Sequence, residues 1–204
     1  RVIGVGSGSH TLRTADRRNM PILLLPHESP ELYANRTNEW PGFTSFFAAR
    51  KAARQAYLMA RITDPIQDLH VLETHDAFTV SDIQTYEDIG LRPYGQGADF
   101  IESGDAYLGG VLPTNLSGGL LGAMHSVGAT GIFQLAEIFW QLRGEWTKFH
   151  ADEKYWERFG KTKPRDFKNL QAPMPNTRRG MAISHAGTGS HVTCIILEGD
   201  ANHA

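Results

Sequence analysis

Asn115-Leu-Ser117-Gly118-Gly119-Leu-Leu-Gly-Ala-Met124-His125-Ser126-Val-Gly128-Ala-Thr-Gly131 gathers several glycines around one imidazole. Glycine lets backbone approach a bound group and adopt positive φ, so the run reads as a ligand-facing loop. It feeds into an apolar helical pattern that starts near Thr130, and a helix N-terminus therefore points at whatever His125 faces. The partial positive charge there disfavours imidazolium and leaves His125 neutral, able to accept a proton.

Downstream, Ile132, Leu135, Ala136, Phe139 and Leu142 form one helical face, and Arg143-Gly144 ends the helix. Upstream, residues 92–113 are turn-rich. Asp68 to Glu73 alternate as a strand, and Glu73-Thr-His75-Asp76-Ala77-Phe78 sits at its C-terminal end, where α/β sheets bind ligands. Ser81-Asp-Ile-Gln84 predicts a capping box for a helix through Ile89, stopped by Gly90. Thr44 to Arg61 predicts a longer helix, capped by Thr44 or Ser45. Its small-residue face runs from Ala49 to Ala60, and Arg50, Lys51 and Arg54 form a solvated basic edge.

At the start, Arg1 to Gly6 reads as a strand already under way, continuing from a missing part of a longer protein, with Gly4-Val-Gly6-Ser-Gly8 as a glycine-rich turn. A dinucleotide loop is rejected, since the third glycine, the immediate helix and the distal acid are all missing. Near the end, Arg179–Ser184 and His191–Leu197 read as strands of a hairpin joined by His185-Ala-Gly187-Thr-Gly189. This order predicts an α/β layered domain with a mixed sheet. Residues 1–43 are a strand and long irregular connection, 44–199 the domain, and 200–204 a tail. An aromatic and charged insertion at 145–178 is suited to docking a partner or covering a site.

Composition narrows the function. A net charge of −2 gives no field to gather nucleic acid or an anionic membrane. No apolar run approaches the roughly 20 residues that span a bilayer. The single cysteine, Cys194, leaves neither an internal disulfide nor a multi-cysteine zinc site, so no metal is expected, and it fits a reducing compartment, the cytoplasm by default. The triplets Asn35-Arg-Thr and Asn115-Leu-Ser are accordingly read as chance and not as glycosylation sites.

Three separated motifs, His75-Asp-Ala-Phe78, Asn115 to Gly131 and Ser184-His185-Ala-Gly-Thr-Gly189, together resemble the C-terminal half of a thiolase, in the branch of archaeal and sterol-carrier-protein-type thiolases. The resemblance implies a mixed sheet flanked by helices that packs on an N-terminal half in a layered αβαβα body. It implies Claisen condensation or thiolytic cleavage of 3-oxoacyl-CoA, with a coenzyme A thioester as substrate and no covalently bound cofactor. Matched by position, His125 is the histidine that activates the nucleophilic cysteine of the other half. His75 helps form an oxyanion site, and Gly187 and Gly189 lie in the turn that offers N–H groups to a second. Asn115, Ser117, Gly118, Gly119, Met124, Ser126 and Gly128 belong to the substrate loop.

The motifs depart from the family in several places. Met124 and Ser126 replace the Gly and Pro around the histidine, Ala77 stands where some members carry a cysteine, and Ser184 or His185 stands where others do. The remaining proton work therefore falls to His75 or His185, whose ordinary pKa is near 6.5. Cys194, inside a strand, reads as a core residue. Expected partners are an acyl-CoA, a cysteine-bearing N-terminal half, a second copy or a different subunit, and an OB-fold zinc-ribbon acyl-CoA-binding protein. Alternatives are a thiolase-like aldol lyase acting on β-hydroxyacyl-CoA, and a non-catalytic scaffold or lipid-carrying subunit.

Overall fold

A computed structural model describes residues 1–13, 16, 23–34, 45–158, 160–163, 168–173 and 176–200. The elements are β1 (Val2–Ser9), α1 (Phe47–Ala60), α2 (Pro65–Asp68), β2 (Val71–Glu73), α3 (Thr79–Asp88), α4 (Asp99–Glu102), α5 (Gly119–Gly122), α6 (Thr130–Arg143), α7 (Trp146–His150), α8 (Glu153–Glu157), β3 (Arg179–Ala186) and β4 (His191–Glu198). One sheet runs in the order β1-β4-β3-β2. β4 is antiparallel to both neighbours and β2 is parallel to β3, so the sheet is mixed and flanked by helices, as the sequence predicts.

α1 covers one face. Its alanines 48, 49, 52, 53, 56 and 60 share a core with Met181 and Ile183 of β3 and with Val192, Cys194 and Ile196 of β4. The glycine-rich turn expected at residues 4–8 is instead part of β1, which continues to Ser9. The reason is packing: a Cβ on Gly6 would collide with the Ala52 carbonyl, and one on Gly8 with that of Ala48. Glycine here brings strand backbone against helix backbone.

Arg50 does not lie on a solvated edge. It is fully buried and paired with Glu28. It donates to the carbonyls of Leu23 at 2.6 Å and Asp88 at 3.2 Å and to the Tyr33 hydroxyl at 3.0 Å. Ser45 does not cap α1 either. Its hydroxyl donates to Asp88, whose other oxygen accepts the Phe46 N–H, so a carboxylate from α3 closes the helix start. Burial pushes the Asp88 carboxyl up to about 6. Thr44 lies outside the described residues. The capping box at Ser81 is absent too, because α3 begins two residues earlier, after Phe78 in an extended conformation, and Ser81 is buried inside the helix.

α6 covers the other face at its β2–β3 end, and its inner face departs from the expected one. Gln134, Glu137, Ile138, Gln141 and Leu142 are buried, whereas Ile132 is 72% exposed and Phe139 is 49% exposed. The buried polar side chains serve backbone and aromatic partners: Gln141 Nε2 donates to the Leu170 carbonyl, and Glu137 accepts from Trp146 Nε1 at 2.8 Å and faces the His150 ring. The aromatic segment after Gly144 folds back as α7 and α8. Phe149 stacks on Trp140 at 3.7 Å, and Tyr155 packs on Phe149 and His150. Phe159 and Phe167 lie outside the described residues, as does most of the tail.

Candidate functional site

The three histidines of the three motifs converge. β2 ends at Glu73 and the chain turns, carrying His75 off the C-terminal edge of the sheet. β3 runs parallel beside it and presents His185 near its own end. His125 comes in on the exposed loop between α5 and α6. The His75 and His185 rings stack at 5.1 Å and 19°, and His125 stands edge-on to His75 at 5.2 Å and 86°. Phe46, at the start of α1, closes the far side of His185 at 4.8 Å.

Burial, then the neighbouring imidazole of His125, holds His75 down to about 4. Burial, then His75, holds His185 down to about 3. Both rings are therefore neutral at pH 7, each with one nitrogen that accepts and one that donates. Nδ1 of His75 and Nε2 of His185 are buried and bond no group among the described residues. The histidines open on a cavity of about 1110 Å³ that includes Phe78, Val127, Gly128, Ile132, Leu135 and the 186–189 turn. Gly187 and Gly189 both have positive φ and both line it.

The remaining loop residues work behind the site. Asn115, at φ 52°, accepts the Thr74 N–H at 2.8 Å and donates to the Thr74 hydroxyl at 2.7 Å. Ser117 donates to Glu73 at 2.8 Å. Glu73 is buried, and burial with the nearby Glu137 raises its carboxyl well above the usual range. The space a Cβ on Gly119 would need is taken by the Asp76 carboxylate, which accepts the Leu120 N–H at 2.7 Å. These contacts fasten the loop to the end of β2. Asn115, Ser117, Gly118, Gly119, Met124 and Ser126 do not line the cavity; His125 and Gly128 do.

Cys194 is buried in the α1-side core and its thiol is pushed up by burial, so the chain's one cysteine is a packing residue, as expected. Among the described residues, no group of three His, Cys, Asp or Glu side chains has the arrangement to hold a metal ion. No described helix is long and apolar enough to cross a membrane. The sequence reading missed Phe46 and Gln134. Gln134 donates through Nε2 to the carbonyls of Thr74 at 2.6 Å and Ile183 at 3.2 Å. Its signal was a glutamine inside a predominantly apolar helix.

A family model described as thiolase C-terminal domain-like matches residues 31–154, which include two of the three histidines. The chain belongs to the thiolase family. Over 100 residues it is 45% identical to human sterol carrier protein 2, covering 49% of this chain and 18% of that protein. Over 102 residues it is 43% identical to the acetyl-CoA acetyltransferase of Methanothermobacter thermautotrophicus, covering 50% of this chain and 26% of that one. The benzoylsuccinyl-CoA thiolase subunit BbsB of Thauera aromatica is 38% identical over 79 residues, 39% of this chain and 20% of the subunit. This thiolase-family chain thus matches only about a fifth to a quarter of the length of these relatives. The solved Ltp2-ChsH2(DUF35) aldolase overlays 98% of it with a TM-score of 0.63 at 21% identity, covering 39% of that structure's chain; this similarity concerns the fold.

Proposed function

We propose that this chain supplies the histidine-bearing part of a thiolase-type acyl-CoA C-acyltransferase, completed by a cysteine-bearing N-terminal half. The observation that carries the reading is the meeting of His75, His125 and His185, from three distant motifs, at 5.1 and 5.2 Å around one cavity. His125, exposed at the mouth, takes the proton of a thiol presented from the other half and so generates the thiolate that attacks the 3-oxoacyl carbonyl. His75, neutral, donates to the oxygen on which negative charge develops, and the 187–189 turn serves the second such oxygen. His185 exchanges the proton of the α-carbon during cleavage or condensation. The substrate is a coenzyme A thioester, with no covalently bound cofactor.

A second reading rests on a specific observation. Ala77 and His185 leave the cavity without a second thiol, and Cys194 is in the core. Carbon–carbon cleavage of a β-hydroxyacyl-CoA needs a base and an oxyanion site but no acyl-cysteine, so an aldol lyase uses the same histidines. A hetero-oligomer fits either chemistry, and the OB-fold zinc-ribbon protein is the proposed additional subunit.

Mixing this chain with a cysteine-bearing thiolase half and offering 3-oxoacyl-CoA plus CoA, or β-hydroxyacyl-CoA alone, separates the readings. Acyl-CoA products formed only with CoA support the acyltransferase, and aldehyde or ketone release supports the lyase. Turnover by neither mixture, with both parts folded and associated, contradicts an enzymatic role and leaves the scaffold.

A further inference from the structure

We infer that Gln134 is the positioning residue of the imidazole pair, its side-chain amide bridging the ends of β2 and β3 where they part and so holding His75 and His185 face to face. The inference rests on the reading of those histidines as the working groups. The parallel ladder pairs Val71 with Gly180, Leu72 with Met181 and Glu73 with Ala182, and there it stops. The next pair in that register is Thr74 with Ile183, and theirs are the two carbonyls that Gln134 Nε2 reaches, at 2.6 and 3.2 Å. One side-chain amide thus takes the place of the missing rung.

The rung matters because of pleat parity. Met181 and Ile183 point into the α1 core, so His185 follows on that side. Val71 points to the α6 core, and Glu73 and His75 would follow it if the strand continued. The rings can meet only because β2 turns away after Thr74, and its exit is fixed at that residue. Asn115 holds the Thr74 N–H and hydroxyl, and Gln134 holds its carbonyl together with the partner strand.

Chemical economy points the same way. Gln134 is wholly buried, and its Oε1 bonds no group among the described residues. An unmet buried oxygen costs about 1–3 kcal/mol. Methionine would fill the space between α6 and the sheet without that cost but would supply no donor to the Thr74 and Ile183 carbonyls. The other ionisable groups near the pair are His125 at the mouth, with His191 also lining the cavity, and the buried Asp76 under the loop; Glu73 and Glu137 lie behind it.

The test is the NMR titration of the His75 and His185 ring protons in this chain and in its Gln134→Met variant. The wild-type rings stay neutral down to about pH 5. In the variant the pair opens to solvent and both rings titrate closer to 6.5. Unchanged titrations in a folded variant overturn the inference. Should Gln134→Met fail to fold, Gln134→Glu serves: beside Glu73 and Glu137 the new carboxyl is neutral and donates once, so the titrations fall between the two, and wild-type behaviour overturns the inference equally. In the assembled enzyme the variant lowers kcat about tenfold with KM unchanged, the pattern of lost alignment. The titration reads positioning whatever the reaction, so an inactive wild-type assembly defeats the acyltransferase reading and leaves this result standing.

Discussion

The two faces of the sheet are built on opposite rules. On the α1 side, strand glycines meet helix alanines backbone to backbone, the core is apolar, and the buried cation Arg50 is fully engaged. On the α6 side the helix turns glutamines and a glutamate inward, leaves Ile132 and Phe139 outward, and borders an open cavity whose lining includes His75, His125 and His185. The first face is a sealed structural joint. The second gives up apolar burial to hold strand ends and side chains in place, as the proposed reaction would require.

The sharpest way to break the first face is Arg50→Met. It leaves the buried Glu28 carboxylate without its cation and the Leu23 and Asp88 carbonyls without the guanidinium donor, and about 3–5 kcal/mol of stability should be lost in urea unfolding. The inverted face of α6 is tested by a pair: Ile138→Ala should cost about 2–5 kcal/mol, and Ile132→Ala less than about 0.5 kcal/mol. Equal costs would mean that the helix buries the stripe its sequence suggests.

A smaller effect follows pH at the candidate site. His185 has a folded pKa below its unfolded value of about 6.5. The unfolded chain then binds the extra proton, so the stability linked to a neutral His185 is present above about pH 6.5 and is lost as pH falls toward about 3. The gap in urea midpoint between the wild type and His185→Gln should therefore narrow on going from pH 7 to pH 4. A gap independent of pH would mean that the ring is not held neutral.

These contrasts also explain what the sequence could reveal. The alanine face, the Gly90 and Gly144 stops and the closing hairpin are local signals with local causes, and the structure repeats them. The three histidine motifs were legible because two carry their own glycines and the third, His75-Asp-Ala-Phe78, follows directly on a strand. Arg50 was not: a helical arginine is normally solvated, its Glu28 partner comes from an irregular segment, and the Asp88 carbonyl reaches it from a different helix. The inner face of α6 was misread because Gln134, Glu137 and Gln141 are buried through bonds to backbone carbonyls and Trp146, which an apolar stripe does not reveal. Gln134 escaped because its role depends on where two strands part, which no spacing encodes.

The most direct measurement of the central claim is CoA-dependent cleavage of 3-oxoacyl-CoA by this chain assembled with a cysteine-bearing half, compared with the same assembly carrying His125→Ala. Loss of an activating base predicts a fall in kcat of about 10²–10⁴-fold with assembly intact. Activity unchanged by the substitution would contradict the account.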